Sequence, residues 1–118
     1  MNVTRGDIVV VDFPHASQPT ATIRPAVIVQ CDHNNQLIAN IIVAQITSKI
    51  RHLHARTRVL IDPSTPEGAS SGLLMISVVT CENLLTVRRD AIHRILGHLS
   101  PTLMQQVNDA LKAALEIP

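Results

Sequence analysis

Two short stretches hold the side chains best suited to chemistry. The first is Arg24-Pro25, directly before the apolar run Ala26 to Val29. The second is Thr47-Ser48-Lys49, followed closely by Arg51, His52 and His54. A guanidinium is a planar fork of donors that keeps its charge at any physiological pH. Such a fork stabilises negative charge that develops on phosphoryl oxygens. A proline next to it fixes φ and stiffens the backbone that carries it. The hydroxyls of Thr47 and Ser48 serve either a ligand oxygen or their own backbone, as in ordinary turns. His52 and His54 add the side-chain type that exchanges protons near neutrality.

The charge distribution sharpens this reading. The net charge is only +1, yet no acidic residue lies between Asp32 and Asp62. That window holds Lys49, Arg51, Arg56 and Arg58. An anionic partner such as a phosphate backbone explains it. A solvated face paired with acids from elsewhere in the chain explains it equally well. Arg24 is open to the same two readings, because arginines at strand ends often lie over the core with the head in water. Phe13 is the sole aromatic residue, which argues against a module that stacks bases on rows of rings. No carboxylate cluster or His/Cys set has the spacing of a metal site, so neither metal nor cofactor is expected.

The supporting elements follow from pattern. At 118 residues the chain is expected to form one domain, residues 1–118, with a core that needs no staples. Asp7 to Phe13 is a β-branched strand closed by Pro14, and "HASQPTATIR" is a loop. Because proline avoids the middle of a strand, strand two is expected over Ala26 to Cys31, with Arg24 at its mouth. "DHNNQ" reads as a turn. Leu37 to Ile46 and Arg56 to Ile61 read as strands. Leu73 to Val87 reads as one or two strands broken near Glu82. "RRDAIHRILGHL" fits a helical turn or a short strand pair. Ser100 is an N-cap and Pro101 a first helical residue. Leu103, Met104, Val107, Ala110, Leu111, Ala114 and Leu115 then form one apolar helical stripe. Cys31 and Cys81, each in an apolar stretch, read as core thiols of a reducing cytosol. No signal-peptide pattern and no membrane-spanning apolar run is present, so a cytoplasmic location away from membranes is expected.

In order, "RGDIVVVDF", "RPAVIV", "QITSKI", "SVVTCENLLTV" and a leucine-rich terminal helix resemble the MazF/PemK-like toxins of bacterial type II toxin–antitoxin systems. The resemblance covers nearly the whole chain. It implies a mainly β fold with a C-terminal α-helix, a small SH3-like barrel of the MazF/CcdB-like toxin type, usually homodimeric. It further implies a sequence-selective, metal-independent endoribonuclease acting on single-stranded RNA, with a 2′,3′-cyclic phosphate and a 5′-hydroxyl as products. Arg24 and Thr47 take the catalytic positions. Ser48, Lys49, Arg51 and His52 are expected to bind the substrate. A cognate antitoxin masks the toxin, and DNA is met only indirectly, through that antitoxin. The chain departs from the family pattern in "HASQPTAT", which lacks the usual glycines and glutamate, and at Leu85, where an arginine is common. Two other readings use the same fold: a CcdB-like toxin that binds gyrase without catalysis, and an inactive member that only binds antitoxin or RNA.

Overall fold

The structure, a computed structural model, describes residues 1–13 and 22–118. Most of the segment "HASQPTAT" therefore lies outside the described residues. Six strands form one antiparallel sheet: β1 (Asp7–Phe13), β2 (Thr22–Ile28), β3 (Asn40–Thr47), β4 (Arg58–Ile61), β5 (Ser77–Arg88) and β6 (Ile92–His98). Their spatial order is β4-β5-β3-β2-β1-β6. The mainly β architecture with a terminal helix is as expected, although hydrogen bonding stops at the edge strands β4 and β6 and does not close the barrel.

Alternation along the strands divides the apolar residues into two clusters. Ile8, Val27, Ala44, Ile46, Val59, Ile61, Val79 and Cys81 face the helix α2 (Pro101–Leu115). Val9, Val11, Ala26, Ile28, Ile41, Val43 and Val87 form the other cluster. The apolar stripe of α2 works as its spacing requires. Leu103, Val107 and Ala110 are buried, with Met104, Leu111 and Ala114 packed against the same cluster, while Leu115 is exposed. Ser100 caps the helix by accepting from the Leu103 amide at 3.2 Å, a contact worth about 1 kcal/mol.

Two expectations change and two open readings are resolved. The turn at "DHNNQ" is a short helix, α1 (Asp32–Leu37). Tertiary bonds fix it: Asp32 Oδ1 accepts from the Arg5 amide at 2.6 Å, and buried Asn35 exchanges bonds with Gln30. Cys81 is a core thiol, pushed up to about 12 by burial and by the neighbouring Glu82 charge, but Cys31 is exposed at the start of α1. The segment after Arg88 is a 3₁₀ turn (Arg89–Ala91) followed by the single strand β6, not a strand pair. Residues 77–88 form a single strand, yet one interrupted where the sequence indicates. Thr80 pairs with Gln45 and Leu84 with Ala44, so Cys81, Glu82 and Asn83 bulge out of the ladder.

The bulge aims Glu82 at β4. Its carboxylate accepts from Thr57 Oγ1 at 2.9 Å, Arg58 Nε at 2.8 Å and Arg58 Nη2 at 2.6 Å. The remaining arm of that guanidinium, Nη1, donates to the Arg51 carbonyl at 3.0 Å. Burial pushes the Glu82 carboxyl up, but its own amide, Arg58 and Thr57 outweigh burial and hold it below the ordinary value of 4.5. A depressed carboxyl adds stability that is present above 4.5 and disappears as pH falls below it. Glu82→Gln is therefore expected to be less stable than wild type near neutrality. The gap should close as urea unfolding is repeated at successively lower pH below 4.5. A gap independent of pH would show that the charge of Glu82 contributes nothing.

Candidate active site

Arg24 is not at the mouth of β2 but is its third residue, and Pro25 is the fourth. The sheet accommodates the proline because β2 is only half paired there. β1 follows β2 through Thr22, whereas β3 pairs with only Ala26, Val27 and Ile28. Pro25 has no amide proton to extend that second ladder. Carried two residues past Ala26–Gln45, the register sets Arg24 opposite Thr47, where the strands part.

Alternation places both side chains on the face away from α2. Ala26, two residues from Arg24, and Val43, four from Thr47, belong to the cluster on that face. An open cleft of about 370 Å³ lies there. It gathers Arg24, Thr47, Lys49, Arg51 and His52, five of the six residues singled out from sequence. Ser48, the sixth, points to the other side of the rim. It lines an adjoining groove of about 750 Å³ with Ile23, Pro25, Ile46, Leu73, Leu74, Met75 and Ile95. Arg24 and Thr47 border both hollows.

Sequence reasoning missed Gln45, Thr80, Asn83 and the role of Arg58 in the cleft wall. Gln45 was detectable, being the polar residue two before Thr47 on an otherwise apolar strand. Thr80 and Asn83 were not, since only the bulge brings them together. Thr80 donates to the Gln45 carbonyl at 2.8 Å, and Asn83 donates to Thr80 Oγ1 at 3.2 Å. The acid-free window also splits. Arg58 is neutralised by Glu82, Arg56 lies near Asp109 and Lys112 beside the end of α2, and Lys49 and Arg51 stay at the cleft. His54 does not line the cleft.

The electrostatics of the two central residues are unequal. Arg24 Nε is shielded from solvent and has no hydrogen-bond partner among the described residues. A buried donor left unmatched costs about 1–3 kcal/mol, more when charged. Arg24 also borders the cleft, where an anion would offer acceptors to its guanidinium. Thr47 Oγ1 accepts from the Lys49 amide at 3.1 Å, so the turn orients the hydroxyl and leaves its proton for another acceptor. Together the two side chains can grip one tetrahedral oxyanion from two strands. Among the described residues, no three His, Cys, Asp or Glu side chains converge as a metal site would need.

The end of β5 and the turn after it do not extend this surface. Leu85 is half-buried against the core cluster, opposite Val43. Arg89 donates to the carbonyls of Met1, Asn35 and Ile38, so its role is to hold α1 and the N-terminus. Arg88 lies 3.5 Å from Asp90.

Comparison with known proteins places these features in a family. Residues 4–115 match the model for the PemK-like, MazF-like toxin of type II toxin–antitoxin systems. The endoribonuclease MazF of Staphylococcus saprophyticus is 32% identical over 112 residues, 94% of this chain and 89% of its own. Endoribonuclease EndoA of Bacillus subtilis is 29% identical over 118 residues, 99% and 97% of the two chains. A mycobacterial endoribonuclease solved with its cognate antitoxin superposes with a TM-score of 0.78 at 25% identity, covering 98% of this chain and 97% of that one. The match spans almost every residue from the turn before β1 to the end of α2, and the protein belongs to the PemK-like, MazF-like toxin family.

Proposed function

We propose that this protein is a cytoplasmic toxin that cleaves single-stranded RNA without a metal ion, with Arg24 and Thr47 acting on the scissile phosphate. The observation that carries the reading is the convergence on one cleft of Thr47 and Arg24, whose Nε has no partner among the described residues. Family membership and relatives named as endoribonucleases support it. The fold alone would equally suit a gyrase-binding toxin, but a protein-docking role gives no reason for a half-buried arginine whose Nε has no partner among the described residues.

The chemistry follows from these groups. The 2′-hydroxyl attacks the adjacent phosphorus, and the bond to the 5′-oxygen breaks. The products are a 2′,3′-cyclic phosphate and a 5′-hydroxyl. Negative charge grows on the non-bridging oxygens in the transition state. Arg24 meets it with fixed charged donors, and Thr47 adds one hydroxyl bond. Lys49 and Arg51 hold flanking phosphates, and His52 lies against the same strand of RNA. Ser48 contacts RNA from the far side of the rim. A cognate antitoxin is the natural inhibitor, as the mycobacterial complex supports. A second copy of the chain covers the apolar groove, whose Leu74 is 98% exposed and Met75 59% exposed.

Three measurements check this. Wild-type protein in EDTA should cleave a mixed single-stranded RNA. Arg24→Ala should lower turnover on the order of a hundredfold or more with little change in RNA binding, and Arg24→Lys should recover little of it. Near wild-type turnover in a folded Arg24→Ala protein would remove Arg24 from the mechanism.

Replacing both Lys49 and Arg51 with glutamine should weaken binding to all RNA sequences alike. It should flatten the log–log salt dependence by roughly 0.7 per lost contact. Thr47→Val should slow turnover and leave that slope alone. An unchanged slope in the double variant would mark the two cations as ordinary solvated charges.

Sedimentation equilibrium should give a dimer mass for wild type and a monomer for Leu74→Asp combined with Met75→Asp. A dimer in both proteins would place the subunit contact elsewhere.

A further inference from the structure

His52 is a point of backbone tension in the cleft wall. Its φ is 54°, in the left-handed region. A non-glycine residue stays there only where its surroundings fix it. Here both flanking peptides are fixed. The Arg51 carbonyl accepts from Arg58 Nη1 at 3.0 Å, and Arg58 is held by Glu82. The His52 carbonyl accepts from the Ala55 amide at 3.0 Å. The salt bridge in the β5 bulge thus reaches, through one guanidinium, the residue that carries this ring to the cleft.

The cleft needs a proton acceptor, because attack by the 2′-hydroxyl requires its proton to leave. The charged groups that line the cleft with His52 are Arg24 from β2, Lys49 and Arg51 from its own loop, and Arg58 from β4. All four are donors without an acceptor lone pair. β3 and β5 contribute the uncharged Gln45, Thr47, Thr80 and Asn83. Glu82, the nearby carboxylate, is bound to Arg58 and Thr57. Among the described lining residues, an imidazole alone has a nitrogen lone pair that takes up a proton readily.

Resting on the cleavage reading above, we propose that His52 is the general base that takes the proton from the 2′-hydroxyl. As the proton passes to the imidazole, the 2′-oxygen forms its bond to phosphorus. The bond from phosphorus to the 5′-oxygen breaks, and that oxygen takes a proton from water. The imidazolium then gives its proton to the hydroxide left behind, which restores the ring and the solvent.

The left-handed φ also selects the variants. His52→Gly and His52→Asn both accept that backbone, so each removes the imidazole with the loop geometry kept. Wild type is assayed first, in EDTA, with product ends read by mass spectrometry. In both variants turnover should then fall roughly a hundredfold or more, well beyond any loss of RNA binding. Added imidazole should restore part of the turnover of His52→Gly. An RNA with sulfur in place of the scissile 5′-oxygen departs without protonation, so it should not rescue either variant. His15→Gln, in the segment outside the described residues, should keep wild-type turnover.

Several results would overturn the assignment. Unchanged turnover with a raised KM would leave His52 only the RNA contact proposed above. Rescue by the sulfur-containing RNA would make it the acid at the leaving group. Loss in His15→Gln with no loss at His52 would move the base to His15. If wild type itself yields no cyclic phosphate, the cleavage reading fails before any variant is compared, and this assignment falls with it.

Discussion

The amide proton that Pro25 lacks governs the working end of this molecule. An antiparallel ladder continues only while each strand offers donors to the other, and β2 stops offering them to β3 at residue 25. β1 remains paired along the opposite edge, so β2 stays extended and does not fray. The outcome is a local gap inside an otherwise continuous sheet. Arg24 and Thr47 line that gap from two strands, each anchored to rigid backbone a residue or two away. Were the ladder complete, cross-strand packing would close the space between them. A binding site placed on strands is held more tightly than one placed on loops, and this site uses strand ends for its centre and a loop for its margin.

Charge is managed in the same economical way. A run of four cations with no acid nearby would repel itself if all four faced one cleft. The Cys81–Asn83 bulge delivers a carboxylate to one of them, and that cation then serves as a strut. Among the described residues Lys49 and Arg51 have no carboxylate partner and line the cleft, while Arg56 lies beside the end of α2. The positive character of the cleft is thus smaller than the sequence count implies, and it is better directed.

Much of this was legible from sequence because it depends on local rules. Ser100-Pro101 and the three- and four-residue apolar spacing define α2 directly. β-branched runs bounded by glycine and proline define β1 and the start of the sheet. Five of the six site residues cluster because they flank two adjacent antiparallel strands, which short-range pattern reveals. What escaped depends on long-range partners. The rule that proline avoids strand interiors misplaced the start of β2, since only the missing β3 partner makes Pro25 tolerable. α1 is helical because Arg5, far away in sequence, meets Asp32. Nothing local reports that Leu85 packs on the core or that Arg89 binds three carbonyls. Thr80 and Asn83 required the length of the bulge, which no periodicity encodes.

The Glu82–Arg58 pair has a consequence for how this sequence can change over generations. Each partner is partly shielded, and each has several hydrogen bonds that the other completes. Losing either alone leaves the other's charge unpaired, and losing Arg58 also releases the peptide before His52, so single-step drift at one position is opposed. A neutral pair of matching shape removes both charges at once and escapes that penalty. Descendants of this chain are therefore expected to alter positions 58 and 82 in concert. Their joint identity then forms an inherited unit, one that constrains the loop between them while leaving exposed neighbours such as Leu53 and His54 free to vary.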